Sequence, residues 1–355
     1  MDSLFEATDE RGTLRSKLTR ALAASVAMVL LAVGVAACGG SSSSSGGDGS
    51  GGSIDVIGYS TPQEAYEKDL EPGFNETPEG ENVEFSNSFG ASGDQSRAVE
   101  SGQPADVVHF ALETDMTRLV DAGVVADDWQ DNEYDGIVQN SVVTFVTRPG
   151  NPKDIQTWDD IVRDDVEVIT PNPFTSGGAR WNLMAAYGSQ IEQGKSEEEA
   201  LQFVADVLGN TSVQDASARD ALGTFTGGKG DVLLSYENEA LQAQAAGEEV
   251  DYVVPPETIL IETPFAVTEN AQDPDAAQAF SDYAYSPEGQ ADFAAEGFRP
   301  VDKKVLAENE DQFPEPETLF TIQDFGGWSE VATEFFDPEN GSIADIEREL
   351  GVATE

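Results

Sequence analysis

The sequence predicts an α/β fold in two lobes, each a mainly parallel sheet flanked by helices. Three observations lead there. Short β-branched runs alternate with helical runs, the pattern of parallel strands whose crossover helices cover both faces. The body that follows residue 53 is about 300 residues long, a length that divides into two domains. A second β/α series begins after residue 142, and a later strand-like run over 258–267 is placed to return the chain to the first unit. In such sheets ligands sit beyond the carboxyl ends of the strands, so function is expected at the strand-to-helix turns.

Residues 1–37 read as an export signal, with Arg11, Arg15, Lys17 and Arg20 ahead of an uncharged run rich in Ala, Val and Leu. That run, Ala21 to Ala37, falls short of the roughly 20 residues needed to span a bilayer. It ends in Val35-Ala36-Ala37-Cys38, which resembles a bacterial lipobox. Cys38 is the one cysteine of the chain, so a lipid rather than a disulfide is expected on it. Residues 38–53 are a Gly/Ser tether whose coil reach is roughly 20 Å.

The first lobe is read as 54–141 together with 262–355, and the second as 142–261. Strand 54–60 leads into helix 63–70, strand 83–88 into helix 94–100, and strand 107–111 into helix 114–122. The second series runs through strand 166–170, the donor-rich segment from Pro171 to Asn182, helix 197–208, strand 231–235 and a helix starting near Glu237. Helices 275–285 and 287–298 are expected to complete the first lobe.

The chain carries a net charge of −50. Residues 1–37 hold four basic and four acidic residues, which leaves 14 basic against 64 acidic beyond them. Nucleic acid is excluded as a partner, and an acidic surface adapted to concentrated salt is expected, since salt screens self-repulsion. The single histidine, His109, lies in an apolar strand, so histidine triads, thiol nucleophiles and His/Cys zinc sites are unsupported and no metal or cofactor is expected. Carboxylate pairs are too abundant here to carry meaning. Binding is therefore favoured over catalysis.

Four strand-to-helix turns are rich in hydrogen-bond donors: Tyr59-Ser60-Thr61-Pro62, Phe89-Gly90-Ala91-Ser92-Gly93, Thr175-Ser176-Gly177-Gly178 and Ala216-Ser217-Ala218-Arg219. The first turn of a helix has N–H groups with no internal partner and a partial positive charge, and glycine lets an anion approach them. Four such starts facing one cleft would hold an oxyanion on neutral dipoles despite the acidic surface.

These residues also carry a resemblance. Ile169-Thr170-Pro171-Asn172-Pro173, Ser176-Gly177-Gly178-Ala179-Arg180-Trp181-Asn182, Tyr236-Glu237-Asn238-Glu239-Ala240 and Tyr285-Ser286-Pro287-Glu288-Gly289-Gln290 resemble the sulfate/thiosulfate-binding proteins that feed ABC importers, over 54 to about 346. The resemblance implies a two-lobed periplasmic-binding-protein fold of type II, closing on one dehydrated oxyanion as a monomer and delivering it to membrane permease subunits, with lipid as the only membrane attachment. It implies a hydroxyl from Ser176 and amides from Gly177, Gly178, Ser92 and Ala218, with Gly93 beside them and Arg180 and Arg219 behind. Two positions depart from the family pattern: Tyr236 stands where a tryptophan is common, and Ser60 where an aspartate is common.

Sulfate is fully ionised at neutral pH and takes donors only, whereas hydrogen phosphate also needs an acceptor. An unpaired buried polar group costs about 1–3 kcal/mol, so a donor-only site selects sulfate or thiosulfate. Asp94 and Asp220 are the carboxylates placed to alter that choice. The alternatives are another oxyanion such as phosphate or molybdate, a ferric site on Tyr59, Tyr236 and Glu237, and, further off, an extracytoplasmic hydrolase.

Overall fold

The computed structural model describes residues 52–354. The export signal, Cys38 and nearly all of the tether lie outside the described residues. Eleven strands form one curled sheet: β1 (Ser53–Tyr59), β2 (Glu84–Gly90), β3 (Val107–His109), β4 (Ile137–Thr147), β5 (Val168–Pro171), β6 (Thr211–Asp215), β7 (Val232–Tyr236), β8 (Asp251–Val253), β9 (Glu257–Val267), β10 (Arg299–Pro300) and β11 (Thr318–Phe320). Along its main path the order is β2-β1-β3-β9-β4-β7-β5-β6.

The two ends of that path are parallel and the middle is not. β1 pairs parallel with β2 and β3, and β5 pairs parallel with β6 and β7. Between them the two longest strands, β4 and β9, run antiparallel to each other from Ile137↔Pro264 to Val142↔Leu260. Each belongs to both halves: β9 pairs with β3 at Ala266 and β4 pairs with β7 at Thr144. The lobes are thus two parallel half-sheets joined by two long strands, the type II arrangement expected above.

Hydrophobic burial follows the same division. Ile54, Val56, Tyr66, Phe74, Phe280, Phe293 and Phe298 share a first-lobe core with Val107 and Phe265. The helices Pro274–Tyr285 and Pro287–Ala295 therefore return to the first lobe. The last segment packs elsewhere. Phe320, Ile322, Trp328, Val331 and Phe335 join Trp181, Leu183, Tyr187 and Phe203 in a core that also takes in Tyr59, Ala111 and Leu112. The reason lies in the helix Gly177–Glu192, which is buried nearly all round and needs cover on every side. Trp328 supplies part of that cover, edge-on to Trp181 with ring centroids 4.6 Å apart.

The first helical run also differs from its expected extent of 63–70. It continues to Asn75 by way of a π-helical turn, Tyr66–Leu70, just ahead of Pro72. Proline lacks an N–H and its ring crowds the carbonyl four residues back, a conflict that a wider turn relieves.

Candidate functional site

Strand-to-helix turns from both half-sheets meet in the cleft. The helix Gly177–Glu192 begins with Ser176 as N-cap, and Ser176 makes no side-chain capping bond. Its hydroxyl and the first-turn amides of Gly177 and Gly178 are left for another acceptor, although Ser176 is only 4 % exposed. A Cβ placed on Gly178 would stand 3.4 Å from Ser176 Oγ, 3.4 Å from Tyr236 Cε1 and 3.6 Å from Ala218 Cβ. Those four residues therefore surround one small space. A Cβ on Gly177 would stand 2.8 Å from Ala111 Cβ and 2.8 Å from Leu112 Cγ, because the first lobe presses against this turn.

Four hydrogen bonds tie the turns across the cleft. The Gly93 amide donates to Thr175 O at 3.3 Å. Trp181 Nε1 donates to Ala111 O at 2.8 Å. Arg219, second residue of the helix Ala218–Thr226, donates from Nη1 to Glu64 Oε1 at 3.1 Å and from Nη2 to Thr61 O at 3.1 Å. Arg219 Nη2 also reaches the buried Glu239 at 2.9 Å. Burial alone would lower the pKa of Arg219, but the carboxylates of Glu239 and Glu64 outweigh it and hold the pKa up. Burial pushes the Glu239 carboxyl up, and Arg219 pulls it only part of the way back.

The expected residues divide by what their donors already do. Ser92 is buried, but its hydroxyl donates to Asp115 Oδ2 at 2.7 Å and accepts from the Ala111 amide at 2.9 Å, leaving only its own backbone N–H. Gly93 has given its amide to Thr175. Ser60 is 7 % exposed and lies beside Thr61, whose buried Oγ1 has no partner among the described residues. Tyr236 is 1 % exposed and its hydroxyl is likewise unpartnered. Burial, then the neighbouring Tyr59 and Glu239, raise its pKa well above the ordinary value, so the phenol keeps its proton as a donor. Tyr59 packs against it at 6.3 Å between ring centroids, with its own pKa pushed up to about 12 by burial.

Arg180 stands behind the turn, donating from Nε to Pro173 O at 2.7 Å with its guanidinium 4.9 Å over Phe336. Asp94 pairs with Arg97 and its side chain is 58 % exposed. Asp220 accepts from the hydroxyl of Ser217, the N-cap of its own helix, at 2.7 Å. Glu237 is committed to Arg299 at 2.6 Å, so it is not free to join Tyr59 and Tyr236 around a metal.

Sequence reasoning missed Thr61, Glu64 and Glu239. Thr61 was legible as a second hydroxyl in its turn. The carboxylates were not, because their meaning depends on Arg219, 155 and 20 residues away along the chain.

Two half-sheets joined by paired long strands, with helix starts from both in contact, are the architecture of a solute-binding protein. Residues 54–299 match the bacterial extracellular solute-binding proteins, and the chain belongs to that family. It is 42 % identical to the sulfate-binding protein of Synechococcus elongatus over 338 residues, which cover 91 % of this chain and 94 % of that one. It is 36 % identical to the thiosulfate-binding protein of Escherichia coli over 268 residues, 72 % of this chain and 79 % of that one. Among solved structures, the sulfate-binding protein SubI from Mycobacterium tuberculosis superposes with a TM-score of 0.78 at 44 % identity, covering 81 % of this chain and all of that one. Membership makes this chain an extracytoplasmic binding component and not an enzyme.

Proposed function

We propose that this protein captures sulfate or thiosulfate outside the cytoplasmic membrane and delivers it to the permease of an ABC importer. The observation that carries the reading is the uncapped, buried start of the helix Gly177–Glu192, where Gly178 lies against Ser176, Tyr236 and Ala218 and Gly177 against Ala111 and Leu112. A helix start without a cap, buried from water, leaves donors that an anion satisfies. Ser176 Oγ, Tyr236 OH and the amides of Gly177, Gly178, Ser92 and Ala218 are the donors in this reading, with Thr61 Oγ1 added from the first turn.

Asp94 and Asp220, the two carboxylates placed to alter the choice of anion, do not oppose a fully ionised one. Asp94 faces solvent with Arg97, and Asp220 is held by Ser217, so neither offers an acceptor to a bound proton. Relatives named for sulfate and for thiosulfate both align over most of the chain. In the same reading the mature protein is a monomer tethered by lipid on Cys38. Among the described residues only Leu319 and Leu350 are exposed large hydrophobics, leaving little apolar surface for self-association.

Titration calorimetry in concentrated salt with sulfate, thiosulfate, molybdate and phosphate tests the reading. Tight binding of sulfate or thiosulfate, with phosphate at least tenfold weaker, is expected. If none of them binds, or phosphate binds best, the reading is wrong. Intact mass of membrane-extracted protein is expected to show a chain beginning at Cys38 with added acyl groups, and an unmodified Cys38 would remove the anchor.

A further inference from the structure

Eight arginines lie among the described residues, and six of them have a carboxylate oxygen within 4.0 Å. A seventh, Arg148, gives Nε, Nη1 and Nη2 to backbone carbonyls of Gly230, Phe225 and Lys229. Arg180 differs from all of these. Its face lies over Phe336 and its Nε makes its one hydrogen bond, while no acceptor among the described residues meets its two terminal nitrogens. In a chain with 68 acidic residues and 18 basic ones, a guanidinium left without a carboxylate needs a reason.

Arg180 lines a cavity of about 360 Å³ together with Arg97 and Arg118. Arg97 gives Nη2 to Asp94, while its Nη1 lies 3.2 Å from where a Gly93 Cβ would stand, over the start of the helix Ser92–Glu100. Of the carboxylates on the cavity wall, Asp115 is occupied at both oxygens and Asp337 at Oδ1. Asp115 takes Ser92 on one oxygen and Arg118 on the other, and Asp337 caps the amides of Glu339 and Asn340. Burial lowers the pKa of Arg180 to about 10, with Asp115 opposing the fall and the charges of Arg118 and Arg97 adding to it. Ser176 and Gly177 line the same cavity, which therefore adjoins the donor turn of the cleft.

We propose that this cavity is a second anion site, which takes a small divalent oxyanion on the free fork of Arg180 and stages it beside the cleft. A guanidinium presents parallel N–H groups that match two oxygens of one anion. Its role as a staging site rests on the capture reading above, and its existence as an anion site does not. The physical need is clear from the charge: a net −50 repels a dianion, and a guanidinium free of any carboxylate beside the cleft raises its concentration there and its association rate.

Selenate, an isostere of sulfate with an anomalous signal, is the probe. Crystals soaked over a concentration series are expected to show one selenate in the cleft and a second, weaker one at Arg180. Stopped-flow association of sulfate is expected to slow at least threefold in Arg180→Gln and in the more exposed Arg97→Gln, with the dissociation rate changed less than twofold. A merely structural role for either arginine would instead speed dissociation, and that result overturns the proposal. A cleft peak with none at Arg180 at any concentration also overturns it while leaving the capture reading intact. A second peak with unchanged association rates would mean an adventitious ion only. A peak at Arg180 with an empty cleft would support the site and sink the capture reading.

Discussion

Tyr236 carries the most specific chemistry of any single residue in the cleft. Its phenol is buried, protonated and unpartnered, and a Cβ on Gly178 would touch its ring. Tyr236→Phe is expected to keep the fold and weaken sulfate binding by about tenfold to a hundredfold, the effect of removing one hydrogen bond to a charged group. Unchanged affinity by calorimetry would show that the ring only packs. His109 makes a separate prediction. It lies between Tyr66 OH, 2.9 Å from Nδ1, and Thr263 Oγ1, 3.1 Å from Nε2, and burial depresses its pKa from 6.5 to about 3. The unfolded chain takes up a proton below pH 6.5 and the folded chain does not until about pH 3. Its contribution is therefore complete above pH 6.5 and is lost as pH falls, by on the order of 4 kcal/mol near pH 3. His109→Gln keeps polar partners without the titration, so its urea-unfolding free energy is expected to fall less steeply between pH 6.5 and pH 4 than that of the parent. Parallel slopes would contradict the assignment.

At the scale of elements, the glycine pair decides how closely the second-lobe helix start can meet the first lobe. The 2.8 Å approach of a Gly177 Cβ to Ala111 and Leu112 means that any larger residue forces these segments apart. Since Ala111 also anchors Trp181 and Ser92, the displacement reaches the donors on both sides of the cleft. Gly177→Val is expected to weaken anion binding at least tenfold while circular dichroism and the two-lobed scattering profile persist. Wild-type affinity would reduce the turn to an ordinary connection. Elements were the most legible level of this sequence. The β/α alternation placed β1, β2, β3, β5 and β7 within a few residues, because period and β-branching are local signals. Local signals also exposed the four donor turns. They did not show that Ser92's hydroxyl belongs to Asp115, 23 residues further on, or that Gly93's amide belongs to Thr175, since both depend on how the lobes meet. The packing of the chain after Thr318 was hidden for the same reason: where Phe320, Trp328 and Phe335 are buried depends on which helix lacks cover.

For the whole molecule the governing quantity is charge. The described body carries nearly all of the net −50, and 14 salt bridges among its described residues engage only part of the carboxylates. Most remaining acidic side chains face water, where isolated pairs contribute little and summed repulsion opposes the compact state. The cores are well furnished with Phe and Trp, so the fold needs screening and not more burial. The Debye length falls from about 10 Å at 0.1 M to about 3 Å at 1 M, below the spacing of most surface charges. The midpoint of urea unfolding, an uncharged denaturant, is therefore expected to rise steeply as potassium chloride goes from 0.1 to 1 M and then to level off. Sucrose, which favours burial by exclusion without screening charge, is expected to give a smaller rise with no plateau near that concentration. A midpoint insensitive to potassium chloride, or one that sucrose raises equally, would mean that the acidic surface serves solubility alone and that self-repulsion is not what limits stability.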